Sequence, residues 1–429
     1  MFVKKNIILI VLFLSGNILP IYGQENITEN IRKNIARDGT NKTLKDLIEI
    51  VTFGQMANQW DGEYKRGNWD SVKTSKSPKF TYWCYPTGVT LYAMQRAYNI
   101  LKKDTIINYV NKYNHIAANQ YEYLRWQKYK FGTIFKTEGL GKLWRLNMLD
   151  DCGAMGTEIL ESVMHNNCKI TPHLKELINI IGNYVTNIQS RLDDGTFWRP
   201  NSPNTPSIWA DDLYMSLPFL IKWSEYKKDS TFLNDAVSQI INFSSYLQDK
   251  TDGIWFHGYY VKKKERTCCK WGRGNGWVAV AIAEVLSSLP ETHPEYQKVK
   301  DIYLSQMKGL KKYQAEDGLW HQVLDHPELS FGTETSCSAQ FTYAVARGIN
   351  KGWLKKSEYI QVIDNAVRGL KTRISEQGGI NKVCKSTSLG DNLEYYNTRP
   401  VRNNDYHGNG LMLLALTEVY QLTKNGVRK

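Results

Sequence analysis

Trp209-Ala210-Asp211-Asp212 closes a polar loop and opens a nearly apolar run from Leu213 to Tyr226. Five other stretches of the chain do the same: Tyr85-Pro86-Thr87-Gly88, Asp150-Asp151-Cys152-Gly153, Trp271 through Trp277, Thr335-Ser336-Cys337-Ser338 and His407-Gly408-Asn409-Gly410. They recur at roughly sixty residues, and self-similarity at a fixed period marks an architecture built from one repeated supersecondary unit.

Between the marked stretches lie six longer amphipathic segments with recognisable ends. Thr43 to Asp61 carries Leu44, Leu47, Ile48, Val51 and Phe53 at helical spacing, and Thr105 to about Tyr129 is the second. Thr171-Pro172 opens the third, Asp229 the fourth, Pro294 the fifth and Ser357 the sixth. The last four stop at Asp194-Gly195, Asp252-Gly253, Asp317-Gly318 and Gly378-Gly379. Segments of mixed polarity thus alternate with nearly apolar ones, the pattern of an outer ring of helices around an inner ring. An open solenoid uses shorter repeats of about 30–47 residues. The expectation is an all-α, single-domain (α/α)6 barrel over residues 43–429, with its polar loops gathered at one end.

Residues 1–23 read as a secretory signal: Lys4 and Lys5 precede an apolar run from Ile7 to Leu14, and Ile21-Tyr22-Gly23 offers a small residue for cleavage. That run is too short for a membrane span. Residues 24–42 are then an N-terminal extension, and the chain is expected to be exported to the periplasm or the medium. The net charge of +13 favours anionic partners. Its lysines are scattered rather than blocked, so nucleic acid is not expected, nor is a membrane once the signal is removed. Aromatic residues make up 12% of the chain, with 26 Tyr and 13 Trp, and suit either a carbohydrate-lined cleft or a large helical core. The seven cysteines specify no metal pair and no disulfide framework. Cys84, Cys152 and Cys337, at the marked stretches, are expected to be packing residues.

In such a ring the inner helices begin at the mouth, where free amide groups leave a positive end that favours anions. An aspartate there can be an ordinary N-cap. Asp150-Asp151 and Asp211-Asp212 are doubled, however, and one cap needs one aspartate. Two carboxylates facing one cavity are the minimum equipment for acid/base cleavage of a glycosidic or related ether bond. Burial of one against Trp209 or Trp271 would raise its pKa and keep it protonated. In Trp271-Gly272-Arg273-Gly274-Asn275-Gly276-Trp277, the glycines allow close backbone approach to a ligand, and the tryptophans offer faces for a sugar. Arg273 has the fork for a carboxylate. His257 follows Trp255-Phe256 near the same mouth. No histidine pair has metal-ligand spacing, and no Ser-His-Asp set is visible.

Trp209-Ala210-Asp211-Asp212-Leu213-Tyr214-Met215, together with Trp271 through Trp277, resembles the unsaturated glucuronyl and rhamnogalacturonyl hydrolases, glycoside hydrolase families 88 and 105, and is closer to the latter. The resemblance implies an (α/α)6 barrel without metal or organic cofactor. It implies removal of the 4,5-unsaturated uronic acid that polysaccharide lyases leave at the non-reducing end of acidic oligosaccharides. Asp211 matches the catalytic acid/base and Asp151 the second aspartate, with Asp150 the alternative. Arg273, Trp271, Met215 and Trp277 match sugar-binding positions, His257 a binding histidine and Tyr85 a tyrosine at the mouth.

Three alternatives remain open at this level: an inverting hydrolase of saturated glycosides, a histidine-dependent sugar epimerase, and a non-catalytic oligosaccharide-binding protein. Loop residues such as Arg199, Lys262 to Arg266 and Arg399 to Arg402 would choose between rhamnose, sulfated rhamnose and an amino sugar. The sequence sets no oligomeric state.

Overall fold

A computed structural model of the chain describes residues 42–59, 82–134, 141–201, 205–329 and 332–423. The expected signal segment, and the extension up to residue 41, lie outside the described residues. Long helices alternate between an outer and an inner set. The outer set is α1 (Leu44–Gln59), α3 (Asp104–Phe131), α6 (Pro172–Asn183), α8 (Thr231–Leu247), α10 (Tyr296–Lys312) and α12 (Lys356–Lys371). The inner set is α2 (Tyr85–Leu101), α5 (Leu149–His165), α7 (Asp212–Lys227), α9 (Gly272–Ser288), α11 (Thr335–Asn350) and α14 (Tyr406–Leu422). Two short helices, α4 (Gly141–Arg145) and α13 (Leu393–Asn397), lie in the loops.

Each inner helix packs on the next: α2 on α5, α5 on α7, α7 on α9, α9 on α11, α11 on α14, and α14 back on α2. That last contact closes the ring, so the (α/α)6 barrel holds and the open solenoid does not. Composition follows position. Residues 272–286 of α9 are all buried. Outer α10 buries Tyr296, Val299, Ile302, Tyr303, Gln306, Met307 and Leu310, one stripe at helical spacing. No described helix is long and apolar enough to cross a membrane.

The repeated Asp-Gly stops have one physical cause. In each, the Asp carboxylate accepts the amide of the residue two further on: Asp194 from Thr196 at 2.9 Å, Asp252 from Ile254 at 3.0 Å and Asp317 from Leu319 at 3.1 Å. The glycine between them turns at φ 84°, 78° and 83°, a left-handed conformation that costs other residues a steric penalty. The α helix expected to run to Asp194-Gly195 ends sooner, at Asn183, and passes into a π turn over Tyr184–Ile188.

Short strands line the loop end. β1 (Ser207–Trp209), β2 (Gly258–Tyr260) and β3 (Glu265–Arg266) form an antiparallel sheet in which Trp209 pairs with Gly258. This pairing sets the residue before Gly258, His257, beside the start of α7, where the Ala210 amide donates to the His257 carbonyl at 2.9 Å. The opposite end of the ring is closed by charge. Arg96 Nη2 donates to Glu284 Oε1 at 2.9 Å, Arg347 Nη2 donates to Glu418 Oε2 at 2.6 Å, and the Tyr343 hydroxyl donates to Glu284. Burial opposes ionisation of Glu284, but Arg96 and Arg347 outweigh it and hold the carboxyl down at about 2.

Candidate active site

The doubled aspartates are not helix caps. Asp211 stands at the N-cap position of α7 in helical conformation and makes no capping bond; Met148 is the N-cap of α5, which places Asp150 and Asp151 within the first turn. True side-chain caps occur elsewhere on the mouth, at Glu334 and Asp405. Each doublet instead splits. Arg199 Nη2 donates to Asp150 Oδ2 at 2.7 Å, and its Nε donates to Asp212 Oδ2 at 3.0 Å. One member of each pair is therefore taken by a single partly buried guanidinium, which also lies over the Trp209 ring at 4.5 Å. Asp151 and Asp211 are left for other work.

Asp211 Oδ2 lies 3.1 Å from His257 Nε2, and His257 Nδ1 lies 2.8 Å from the Tyr396 hydroxyl. The His257 ring is fully buried, against Trp271 at 4.5 Å and Trp209 at 5.8 Å. Burial pushes the Asp211 carboxyl up. The hydrogen bond with His257 and the fields of Arg199 and Arg273 outweigh it, leaving the group below the usual carboxylate range. The burial-raised acid expected beside the tryptophans is thus not Asp211. Of the two carboxyls that Arg199 leaves alone, Asp151 is the raised one: burial lifts it to about 6 against the pull of Lys142, whose Nζ is 3.2 Å from Oδ1. Its backbone is fixed by Trp83, whose indole N–H donates to the Asp151 carbonyl at 2.7 Å.

Arg273 is in place but not free. Nη1 donates to the Cys384 carbonyl at 2.5 Å and Nη2 to the Lys385 carbonyl at 2.9 Å, while the guanidinium lies over the Trp271 ring at 4.7 Å. Both terminal nitrogens are thus engaged by backbone carbonyls, while Nε is buried without a partner, so a carboxylate held by two nitrogens would have to use the Nε side of the fork. The glycines around it also differ from expectation: they are not a loop but the first turns of α9. A Cβ at Gly276 would meet the Gln340 side chain at 2.0 Å, and one at Gly272 would meet Cys337 Sγ at 2.9 Å. These two glycines serve contact between α9 and α11. Gly274 alone of the three faces Asp211: a Cβ there would lie 3.7 Å from Asp211 Oδ2.

Tyr85 is half-buried at the start of α2, edge-on to Trp277 at 5.9 Å and near His407 at 5.6 Å. The Trp271 and Trp277 indole N–H groups are buried without partners. Met215 is 1% exposed, and its backbone amide bonds to the Asp211 carbonyl in the first turn of α7. All seven cysteines are free thiols. Burial pushes Cys84 up to about 11 and raises Cys152 and Cys337, in keeping with packing roles.

Sequence reasoning missed three contributors. Tyr396 carries no local motif. Arg199, one of the loop residues read as choosing the leaving sugar, clamps the aspartates. A hydrogen-bonded chain of Ser386, His407 and Asp405 also forms at the sixth helix start: Ser386 Oγ is 3.1 Å from His407 Nε2, and Nδ1 is 2.5 Å from Asp405 Oδ1. Asp405 also caps α14, and the His407 ring sits against Tyr406 at 4.2 Å. Among the described residues no three metal-ligating side chains gather.

A closed helical double ring with two buried carboxylates at one mouth carries the equipment that glycosidic-bond cleavage needs. The sequence profile of Glycosyl Hydrolase Family 88 matches residues 54–423, and the chain belongs to that family. It is 27% identical over 217 residues to the unsaturated rhamnogalacturonyl hydrolase YesR of Bacillus subtilis, a stretch covering 50% of this chain and 60% of that protein. It is 28% identical over 216 residues to an unsaturated 3S-rhamnoglycuronyl hydrolase of an Alteromonas species, covering 49% of this chain and 50% of that protein. The matches thus span little more than half the length of these two relatives. In fold it is similar to a family 105 glycoside hydrolase of C. acetobutylicum, with a TM-score of 0.71 at 22% identity over 87% of this chain and 99% of that one. The family resemblance read from the two motifs holds.

Proposed function

We propose that the chain hydrolyses lyase-generated oligosaccharides by removing their terminal 4,5-unsaturated uronic acid. The observation that carries this reading is the division of labour within the doublets. Arg199 takes Asp150 and Asp212, while Asp211 is held by one oxygen on His257 and Asp151 stays buried with a raised pKa. Asp211 delivers a proton to carbon 4 of the enol ether, charge develops at carbon 5 and the ring oxygen, and water adds at carbon 5. The hemiketal then opens and releases the remaining saccharide. General-acid assistance of this kind contributes about 10²–10⁴-fold. An ionised Asp211 suits the resting enzyme. A bound uronate brings a like charge and covers the remaining 13% exposure of the side chain, and both raise its affinity for the proton.

Asp151, next to Lys142, binds hydroxyls and tunes Asp211. The names of the two curated relatives support a rhamnose-linked uronate of the pectin type, sulfated rhamnose being the nearest variant. The basic balance of the chain supports an acidic substrate, and the pattern of residues 1–23 supports export. The test is a panel of unsaturated disaccharides followed at their ultraviolet chromophore. Wild type bleaches at least one of them and Asp211→Asn loses that rate by about 10²-fold or more. No bleaching of any member by wild type sinks the reading.

A further inference from the structure

Tyr396 stands on α13, far in sequence from both carboxylates, yet its side chain is fully buried against His257. Its hydroxyl has two partners among the described residues. The Gly390 amide donates to it at 3.0 Å, and His257 Nδ1 lies 2.8 Å away. Burial keeps the phenol protonated. Because the Gly390 N–H already occupies the oxygen as a donor, the phenol's own proton has one place to go, the lone pair of Nδ1. The imidazole proton then resides on Nε2 and points at Asp211 Oδ2, 3.1 Å away. A second proton on the ring would leave Nε2–H in place. Only the neutral Nδ1–H tautomer would turn Nε2 into an acceptor, and it would strand the buried phenol proton without a partner.

The consequence falls on the acid. Oδ2 is held as an acceptor, and no described residue hydrogen-bonds Oδ1, the oxygen left for ligand or solvent. We propose that Tyr396 is a positioning residue that locks His257 as the Nε2–H tautomer, so that the proton Asp211 delivers is carried on Oδ1. This rests on Asp211 being the acid of the proposed hydrolysis. In that step the Oδ1 proton passes to carbon 4 and the oxygen of water bonds to carbon 5. The proton that water gives up returns to Oδ1, and the balance is one water added across the double bond. With the other tautomer, an Asp211 proton would be held between Oδ2 and Nε2, away from substrate.

The experiment pairs nitrogen NMR of histidine-labelled enzyme with turnover. The His257 signals are identified by their loss in His257→Gln. In wild type Nδ1 is unprotonated and Nε2 protonated; in Tyr396→Phe the two tautomers mix, and kcat falls about 10–100-fold, the loss seen when the partner that orients a metal-bound histidine is removed, with KM little changed. A wild-type spectrum with the proton on Nδ1 overturns the proposal without any variant. So does a folded Tyr396→Phe that keeps the wild-type tautomer and kcat. Absence of turnover by wild type would instead sink the hydrolase reading, and the tautomer readout would be unaffected.

Discussion

Lys142 Nζ stands 3.2 Å from Asp151 Oδ1, and neither carboxylate oxygen of Asp151 has a well-formed hydrogen bond although the side chain is 1% exposed. Burial therefore prevails over the ion pair and lifts the pKa from an ordinary 3.8 to about 6. The folded protein holds this proton more tightly than the unfolded chain does. Its stabilising contribution is complete below the unfolded value and is lost as pH rises through about 6. A shift of this size corresponds to about 2–3 kcal/mol. Asp151→Asn should flatten this part of the pH–stability curve, and Lys142→Met should move its end to higher pH. Urea unfolding from pH 4 to pH 8 measures both; equal slopes for wild type and Asp151→Asn would show that Asp151 is not the titrating group.

Arg199 serves two carboxylates from adjacent inner helices, Asp150 on α5 and Asp212 on α7, the second with no side-chain exposure. Removing the guanidinium leaves a buried carboxyl that burial alone would keep high, at about 6 even with Arg199 present. Arg199→Met should cost about 3–5 kcal/mol, the usual penalty for stranding one partner of a buried pair. Arg199→Lys should recover little, because one ammonium cannot reproduce the fork. Arg199→Met combined with Asp212→Asn should recover part of the loss. Denaturant midpoints of the three variants decide this, and a double variant no better than Arg199→Met would place the cost elsewhere.

The ring was legible because its signals are local. Polarity alternates segment by segment, and Asp194-Gly195, Asp252-Gly253 and Asp317-Gly318 each carry their turn chemistry in adjacent residues. The doublets were legible as an excess over capping, and Asp211 and His257 do meet. What could not be read was how charges are shared across the mouth. Arg199 and Asp150 are 49 positions apart, and Tyr396 and His257 are 139 apart, joined only once the ring closes. Which carboxylate burial would raise could not be read for the same reason, since the Arg199 and Arg273 fields that offset burial at Asp211 are not local to it. The glycines of α9 were misread because packing between helices and approach to a ligand use the same residue.

Two glycines at the mouth should answer oppositely to alanine. At Gly153 on α5 an added Cβ would lie 1.7 Å from the Met215 carbonyl oxygen of α7, backbone against backbone, so the two helices must part. Gly153→Ala should lower stability by about 1–3 kcal/mol or more and lower the denaturant midpoint. At Gly274 the nearest atoms are His257 Cδ2 at 3.1 Å and Trp271 Cε3 at 3.3 Å, so a shift of a few tenths of an ångström makes room. Alanine also improves helix propensity by up to about 1 kcal/mol, less so in a first turn. Gly274→Ala should therefore melt close to wild type. Its added carbon presses on the ring that holds Asp211 Oδ2, and displacement of a reacting group by a fraction of an ångström costs roughly tenfold in rate. Chromophore loss and urea melts on the two proteins separate the effects. Full rate in a stable Gly274→Ala would mean that the position of His257 does not govern the Asp211 proton.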